Sequence, residues 1–216
     1  MSVEIRTVES MPFGENTYIL WIPGRADCVV VDPGFEPELI FDQLDEAGLT
    51  VAAILNTHGH VDHIAGNRAV KQRFPNAMIV IGEIDAPMLE NADLNLSGPF
   101  GMPITSPAAD RLVNQGDRVE MAGMVFDVRL TPGHSPGHVV YVLRGAPVVI
   151  GGDVLFREGI GRYDFPGGSF KVLEDSIQSQ LYTLPDETVV YPGHGPVTTI
   201  GYEKSNNPYV TQSAKN

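Results

Sequence analysis

Hydrophobic and polar positions divide this 216-residue chain into two β-rich halves, each closed by a helix. Val3 to Val8 and Thr17 to Ile22 carry β-branched side chains with alternation and predict strands. Cys28-Val29-Val30-Val31 is a continuous apolar run stopped by Asp32-Pro33-Gly34, a buried strand entering a turn. Glu36 to Ala47 places Leu39, Ile40, Leu44 and Ala47 on one face and has Gly48 as its stop, which predicts an amphipathic helix. Val51 to Asn56 predicts another buried strand, Gly66 to Phe74 a helix and Ala77 to Ile81 a strand. Residues 90–110 are rich in proline and glycine, lack periodicity, and predict a long irregular loop of the kind that is often functional. The second half has strand patterns at Arg118 to Met121, Val125 to Leu130, Val139 to Leu143 and Val148 to Ile150. It ends with a helix over Phe170 to Leu184 and a strand over Thr188 to Tyr191. No linker or composition shift separates the halves, so residues 1–216 are expected to form one domain of α/β (α+β) class. Two sheets packed face to face with helices outside satisfy this order of elements.

Composition narrows the partners. The net charge of −13, with lysine and arginine scattered, disfavours nucleic acid and anionic membrane. No apolar run approaches the roughly 20 residues that cross a bilayer, and the N-terminus lacks a signal-peptide profile. The single cysteine, Cys28, excludes an internal disulfide and is expected to be a small buried hydrophobe. A cytoplasmic monomer or homodimer acting on a small molecule is the expectation.

The chemistry lies in the histidines. Five of six fall in three short glycine-rich stretches: Thr57-His58-Gly59-His60-Val61-Asp62-His63, Thr131-Pro132-Gly133-His134 and Pro192-Gly193-His194-Gly195. Gly151-Gly152-Asp153 lies between the last two. Neutral imidazoles and carboxylates are ligands for zinc, iron and manganese. Four candidate ligands within six residues cannot all reach one ion without strain, and two neighbouring ions relieve the crowding. A two-metal centre needs a bridging carboxylate, for which Asp153 is the candidate, with His134 and His194 completing one ion each. Asp32 is expected to orient the ligand loop or an imidazole from behind. His138 is expected to support the His134 loop.

The run His58-Gly59-His60-Val61-Asp62-His63, with His134, Asp153 and His194 following and Val31-Asp32-Pro33-Gly34 preceding, resembles the metallo-β-lactamase superfamily from Asp32 to His194. The resemblance implies a four-layer αββα sandwich with the metals at one edge of the sheets. It also implies the ligand division: His58, His60 and His134 on one ion, Asp62, His63 and His194 on the other, and Asp153 between. Aspartate at 153 is similar to the glyoxalase II (hydroxyacylglutathione hydrolase) type rather than to β-lactamases with cysteine there. In that type a basic residue near position 162 contacts substrate, so Arg162 could bind a carboxylate or a thiol-bearing group, while an Arg162–Asp164 pair would only shape the loop. Phe100 and Met102 are candidates for a pocket wall. Only 22 residues follow His194, so the glutathione-holding C-terminal helical domain of full-length glyoxalase II is expected to be absent. The likeness is to the small single-domain branch.

The expected activity is hydrolysis of a small thioester by a hydroxide held between two divalent cations, zinc first, iron or manganese otherwise, with Asp62 among the catalytic groups. A thiol of pKa near 8.5 leaves as thiolate without a proton donor, whereas an amide nitrogen needs one. The alternative implied by the same superfamily is a persulfide dioxygenase with one iron on His58, His134 and Asp153. A lactonase is a further alternative. A metal-stabilised module without catalysis is the remaining one, opposed by a donor set larger than the four of a structural zinc site.

Overall fold

The computed structural model describes residues 2–99 and 101–210, and Phe100 lies outside the described residues. Two six-stranded sheets form the centre. In the first, β1 (Glu4–Ser10), β2 (Glu15–Trp21), β3 (Asp27–Val31), β4 (Thr50–Leu55), β5 (Met78–Gly82) and β6 (Arg111–Val113) lie in sequence order. β1–β3 pair antiparallel, and β3 to β6 run parallel. Parallel neighbours need crossover connections. These run through α1 (Pro37–Ala47) between β3 and β4, and through α2 (Val61–Ile64) and α3 (Asn67–Arg73) between β4 and β5. The link from β5 to β6 carries α4 (Ala86–Glu90) and the long loop.

The second sheet contains β7 (Arg118–Met121), β8 (Met124–Leu130), β9 (Val139–Leu143), β10 (Val148–Gly152), β13 (Val189–Pro192) and β14 (Thr198–Thr199), ordered β14-β13-β10-β9-β8-β7. A small hairpin, β11 (Leu155–Phe156) with β12 (Gly159–Ile160), follows β10. After it come α5 (Phe170–Ser176), a π-helical turn at Ile177–Leu181 and, after β14, α6 (Ile200–Asn206).

Side-chain alternation along the strands sorts the core into three layers. Tyr18, Leu20, Val29, Val31, Phe126, Val128, Tyr141 and Ile150 meet between the sheets. Ile19, Cys28, Val30 and Ile54 face the other way and pack on Ile40 and Leu44 of α1 and Val70 of α3. Val140, Val149 and Val190 pack on Leu173, Ile177, Leu181 and Ile200. Helix, sheet, sheet, helix is the αββα order expected, and Cys28 is fully buried as a hydrophobe.

The structure departs from the periodicity reading at short elements. α2, α4, β6, β11, β12, β14 and α6 span two to seven residues, too few for a period to register. The helix expected over 170–184 becomes α5 and a π turn, in which Tyr182 N–H donates to Ile177 O five residues back. The wider turn keeps Ile177, Leu181 and Tyr182 all buried against the second sheet.

Candidate metal centre

Every candidate ligand lies at one edge of the sandwich, on a loop or short helix beyond the ends of β4, β8, β10 and β13. His60 precedes α2, whose first turn carries Asp62 and His63. His134 is set by α5: Gly133, at φ +125°, lies so close to the backbone of Leu173 that a Cβ there would sit 2.3 Å from its nitrogen. Ser176 adds a hydrogen bond from its hydroxyl to Pro132 O. The His194 turn is tied to β2, where Asn16 Nδ2 donates to Pro192 O and Gly195 O and Tyr18 donates to Pro192 O.

The partners of each ring fix which nitrogen carries the proton. His134 Nδ1 donates to the carbonyl of Arg162 at 2.7 Å, and His194 Nδ1 to Gly14 O at 3.2 Å. His63 Nδ1 donates to Asp32 Oδ2 at 3.0 Å. Thr57 Oγ1 gives its proton to the same carboxylate oxygen, and so accepts from His58 Nδ1 at 3.1 Å. In all four rings Nδ1 gives its proton outward, so Nε2 is the atom whose lone pair a cation can take, the arrangement by which outer hydrogen bonds orient metal ligands.

These lone pairs converge in two sets. His58 Nε2 lies 3.2 Å from His134 Nε2, and His60 Nδ1 lies 2.9 Å from the same atom. Tetrahedral zinc with bonds of about 2.0–2.1 Å places its donors about 3.3–3.4 Å apart, so the cluster has the dimensions of an ion's coordination shell. Asp62 Oδ2 lies 3.3 Å from His194 Nε2 and 3.7 Å from His63 Nε2, forming the second set. Asp153 stands between them: Oδ1 is 3.5 Å from His63 Nε2, and Oδ2 is 3.6 Å from His134 Nε2 and 3.5 Å from His194 Nε2. Among the described residues three buried polar atoms lack a hydrogen-bond partner, and two are His63 Nε2 and Asp153 Oδ1. Buried polar atoms are rarely left unpaired, and a cation between those two satisfies both. The third is Glu15 Oε1, on a carboxyl that burial drives toward its neutral form.

Electrostatics separates the sets. Burial and the neighbouring imidazoles push His58 well below the usual histidine range and His60 down to about 3. Both are therefore neutral, as ligation requires. Burial opposes protonation of His63 and His194 too, but there the charges and hydrogen bonds of Asp62 and Asp153 outweigh it and raise both. Burial likewise works against the charged forms of Asp62 and Asp153, and His63 overrides it, holding both below the usual carboxylate range.

Asp32 does its work from behind. Held at φ +48°, it accepts from Thr57 N, Thr57 Oγ1 and His63 Nδ1 with its two oxygens. His138 Nε2 accepts from Asp153 N and its Nδ1 donates to Thr131 Oγ1, which ties the aspartate's backbone to the start of the His134 loop. Arg162 forks onto Asp164 and lies over the Phe165 ring at 4.2 Å, while also lining the cavity above the centre. That cavity, about 200 Å³, is walled by Phe13, Val61, Asn95, Leu96 and Phe165 around His60, Asp62, His134 and Asp153. Met102 is not among its lining residues; Asn95 and Leu96 supply the wall from the long loop.

Two bracing groups went unnoticed in the sequence. Asp85, fully buried, accepts from Ser135 Oγ, from Gly137 N at 2.6 Å and from the Gly59 N–H, so it joins the His58–His60 loop to the His134 loop. Its signal was available: like Asp32 and Asp153, it follows the C-terminal end of a buried strand. Asn16 and Tyr18, by contrast, are indistinguishable from ordinary strand residues until β2 is placed beside the His194 turn.

The sequence profile described as the metallo-β-lactamase superfamily matches residues 11–194. The chain belongs to that superfamily. The hydroxyacylglutathione hydrolase GloC of Haemophilus influenzae is 35% identical, over 99% of this chain and 100% of its own. Among solved structures, BLEG-1, titled a B3 metallo-β-lactamase, superposes with a TM-score of 0.92 at 37% identity, covering 97% of this chain and 100% of its own. TTHA1623, solved in a di-iron-bound form, gives 0.85 at 37%, covering 95% and 100%. ETHE1 from Myxococcus xanthus gives 0.79 at 31%, covering 95% and 83%. This superfamily, with a hydrolase among the full-length relatives, places the chain among the metallo-hydrolases. Among the described residues no helix is long and apolar enough to cross a membrane.

Proposed function

We propose that the chain hydrolyses a small thioester at a centre of two divalent cations. His58, His60 and His134 would hold one ion, Asp62, His63 and His194 the other, and Asp153 both. Cations there would supply Lewis acidity and water acidified to a pKa near 7. The protein's own part is preparation: the Nδ1 hydrogen bonds aim Nε2 of four rings inward, and burial keeps His58 and His60 neutral. One observation carries the choice of substrate. Among the described residues lining the cavity, Arg162 is the one ionisable group outside the proposed ligand set, and a guanidinium does not give up a proton near neutrality. With no acid to protonate a leaving nitrogen, a leaving group stable as an anion is favoured, and a thiolate meets that need. Arg162 at the cavity rim can hold a carboxylate on the thiol half.

Likeness to a chain solved with iron favours keeping iron among the metals, and with it a second reading as an oxidoreductase using one iron on His58, His134 and Asp153. That reading leaves His63 Nε2 and Asp153 Oδ1 buried without a partner, which weighs for two ions. Metal quantification on natively purified protein, beside turnover of S-lactoylglutathione and a panel of other thioesters, tests the proposal. Two equivalents of metal with thioester cleavage are expected; stoichiometric oxygen uptake with glutathione persulfide would overturn it.

A further inference from the structure

A second cavity of about 200 Å³ adjoins the one over the metal centre, walled by Ile84, Met88, Leu94, Leu96, Pro136 and Pro166. Leu96 lines both cavities, and His134–Pro136 and Phe165–Pro166 lead from one into the other along the chain. Ile84 and Leu94 are half exposed, at 54% and 50%, so apolar surface faces water beside the reacting centre.

Among the described residues Leu96 is also one of four non-glycine residues with positive φ, at +71°. For a bulky residue without a side-chain polar group this is an unfavourable conformation, tolerated where surrounding structure imposes it. The imposing structure is visible. Fully buried Asn95 donates from Nδ2 to Met88 O at 3.0 Å and Ile104 O at 2.9 Å, and its Oδ1 accepts from Ser97 N. Its carbonyl accepts from Val61 N at 3.0 Å, the residue between His60 and Asp62. The strap carrying Leu96 is thus bolted to the ligand loop itself.

We propose that this second cavity is an acyl subsite, taking an unbranched hydrocarbon chain of medium length, with Leu96 the specificity-determining wall between chain and carbonyl. The inference rests on the thioester reading above. The lining decides which half of the substrate enters. Its ionisable groups are Asp85, already occupied by Ser135 and Gly137, and exposed Asp93, with no cation. Thiol carriers bearing carboxylates or phosphates are repelled there, whereas the one cation of the neighbouring cavity, Arg162, suits them. A hydrocarbon tail can lie against the apolar side chains of Ile84, Met88, Leu94 and Leu96.

Thioesters of one neutral thiol, N-acetylcysteamine, from acetyl to octanoyl, test this on the metal-loaded protein. The specificity constant kcat/KM is expected to rise about two- to fourfold for each methylene the cavity covers, the worth of burying part or all of one CH₂. Leu94→Asp should cut the octanoyl-to-acetyl ratio by about tenfold or more. Leu96→Gly should flatten the same ratio without lowering Tm, since glycine adopts positive φ freely. In the metal-free protein, octanoate should shift the methyl NMR signals of Ile84 and Leu94 and leave those of Leu39 and Leu112, exposed elsewhere, in place. A flat series with measurable acetyl turnover, or an unchanged ratio in both variants, overturns the acyl subsite alone. Absence of turnover at every chain length overturns the thioester reading, and the acyl assignment with it.

Discussion

The two halves of the candidate metal centre are built on opposite electrostatic principles. His58, His60 and His134 form a buried all-imidazole set, in which burial keeps His58 and His60 neutral. Asp62, His63 and His194 form a mixed set nearer solvent, in which carboxylates hold protons on the imidazoles. The first set is ready for a cation as it stands, and its cost was met in folding, by burying three polar rings behind aimed hydrogen bonds. The second must exchange protons for a cation. Asp153, with an oxygen toward each, is where the two designs join.

The strongest way to break this comparison is to remove the junction. Asp153→Asn keeps the volume and withdraws the shared charge, and kcat/KM is expected to fall by about 10³-fold or more, equivalent to roughly 4 kcal/mol of transition-state stabilisation. Bound metal should drop below two equivalents; two equivalents with unchanged turnover would mean that the sets do not share this carboxylate. Next come the paired single-set variants His134→Ala and His194→Ala. Each should retain about one equivalent of metal by elemental analysis, and loss of both ions from His194→Ala would show that the imidazole set cannot stand alone.

A smaller effect sharpens the comparison from outside the ligands. Asp32→Asn weakens the hydrogen bond that orients His63, and Asp85→Asn the brace between the His58–His60 and His134 loops. Outer partners of this kind are worth about 10- to 100-fold in metal affinity. Chelator competition should therefore show Asp32→Asn loosening one ion and Asp85→Asn the other. The same ion loosened by both would refute the division.

The smallest expected effect is in the pH dependence of the metal-free chain. His63 and His194 keep their protons more tightly when folded, so the stability they add is complete below their ordinary value of 6.5 and is lost as pH rises through the raised values. His58, His60 and His138 resist protonation when folded, so they destabilise as pH falls below 6.5. Tm of the metal-free protein should therefore peak near pH 6.5, its acid limb owed to His58, His60 and His138 and its alkaline limb to His63 and His194. Saturating metal should abolish the alkaline limb by displacing those protons. A metal-free profile that rises steadily from pH 6 to 9 would contradict the assignment.

Much of the layered fold was legible because its strands are long enough to alternate. Tyr18 and Leu20 face one way and Ile19 the other, and that period of two is written in the residues themselves. Strands of two or three residues and helices of one or two turns carried no such period. Their formation depends on local anchors, such as the Thr199 hydroxyl that accepts from Tyr202 N to start α6. The candidate ligands were legible for a different reason: histidine and aspartate packed among glycines at strand ends is an expensive pattern to leave without chemistry. Gly193 shows why the glycines matter, since a Cβ there would lie 2.1 Å from Asp153 Oδ1. The bracing groups were not legible, because Asp85, Asn16 and Tyr18 act on loops 26 to 179 residues away only through the fold.

By itself, then, the order of residues determined the chemistry available: imidazoles and carboxylates, with an apolar strand before each cluster. Tertiary structure alone decided which ring nitrogens face inward, the neutrality of His58 and His60 against the protonation of His63 and His194, and the apolar cavity that Leu96 divides from the centre. The physical reason is that identity travels with the chain, whereas burial and hydrogen-bond partners are properties of what lies beside a side chain once distant segments have met.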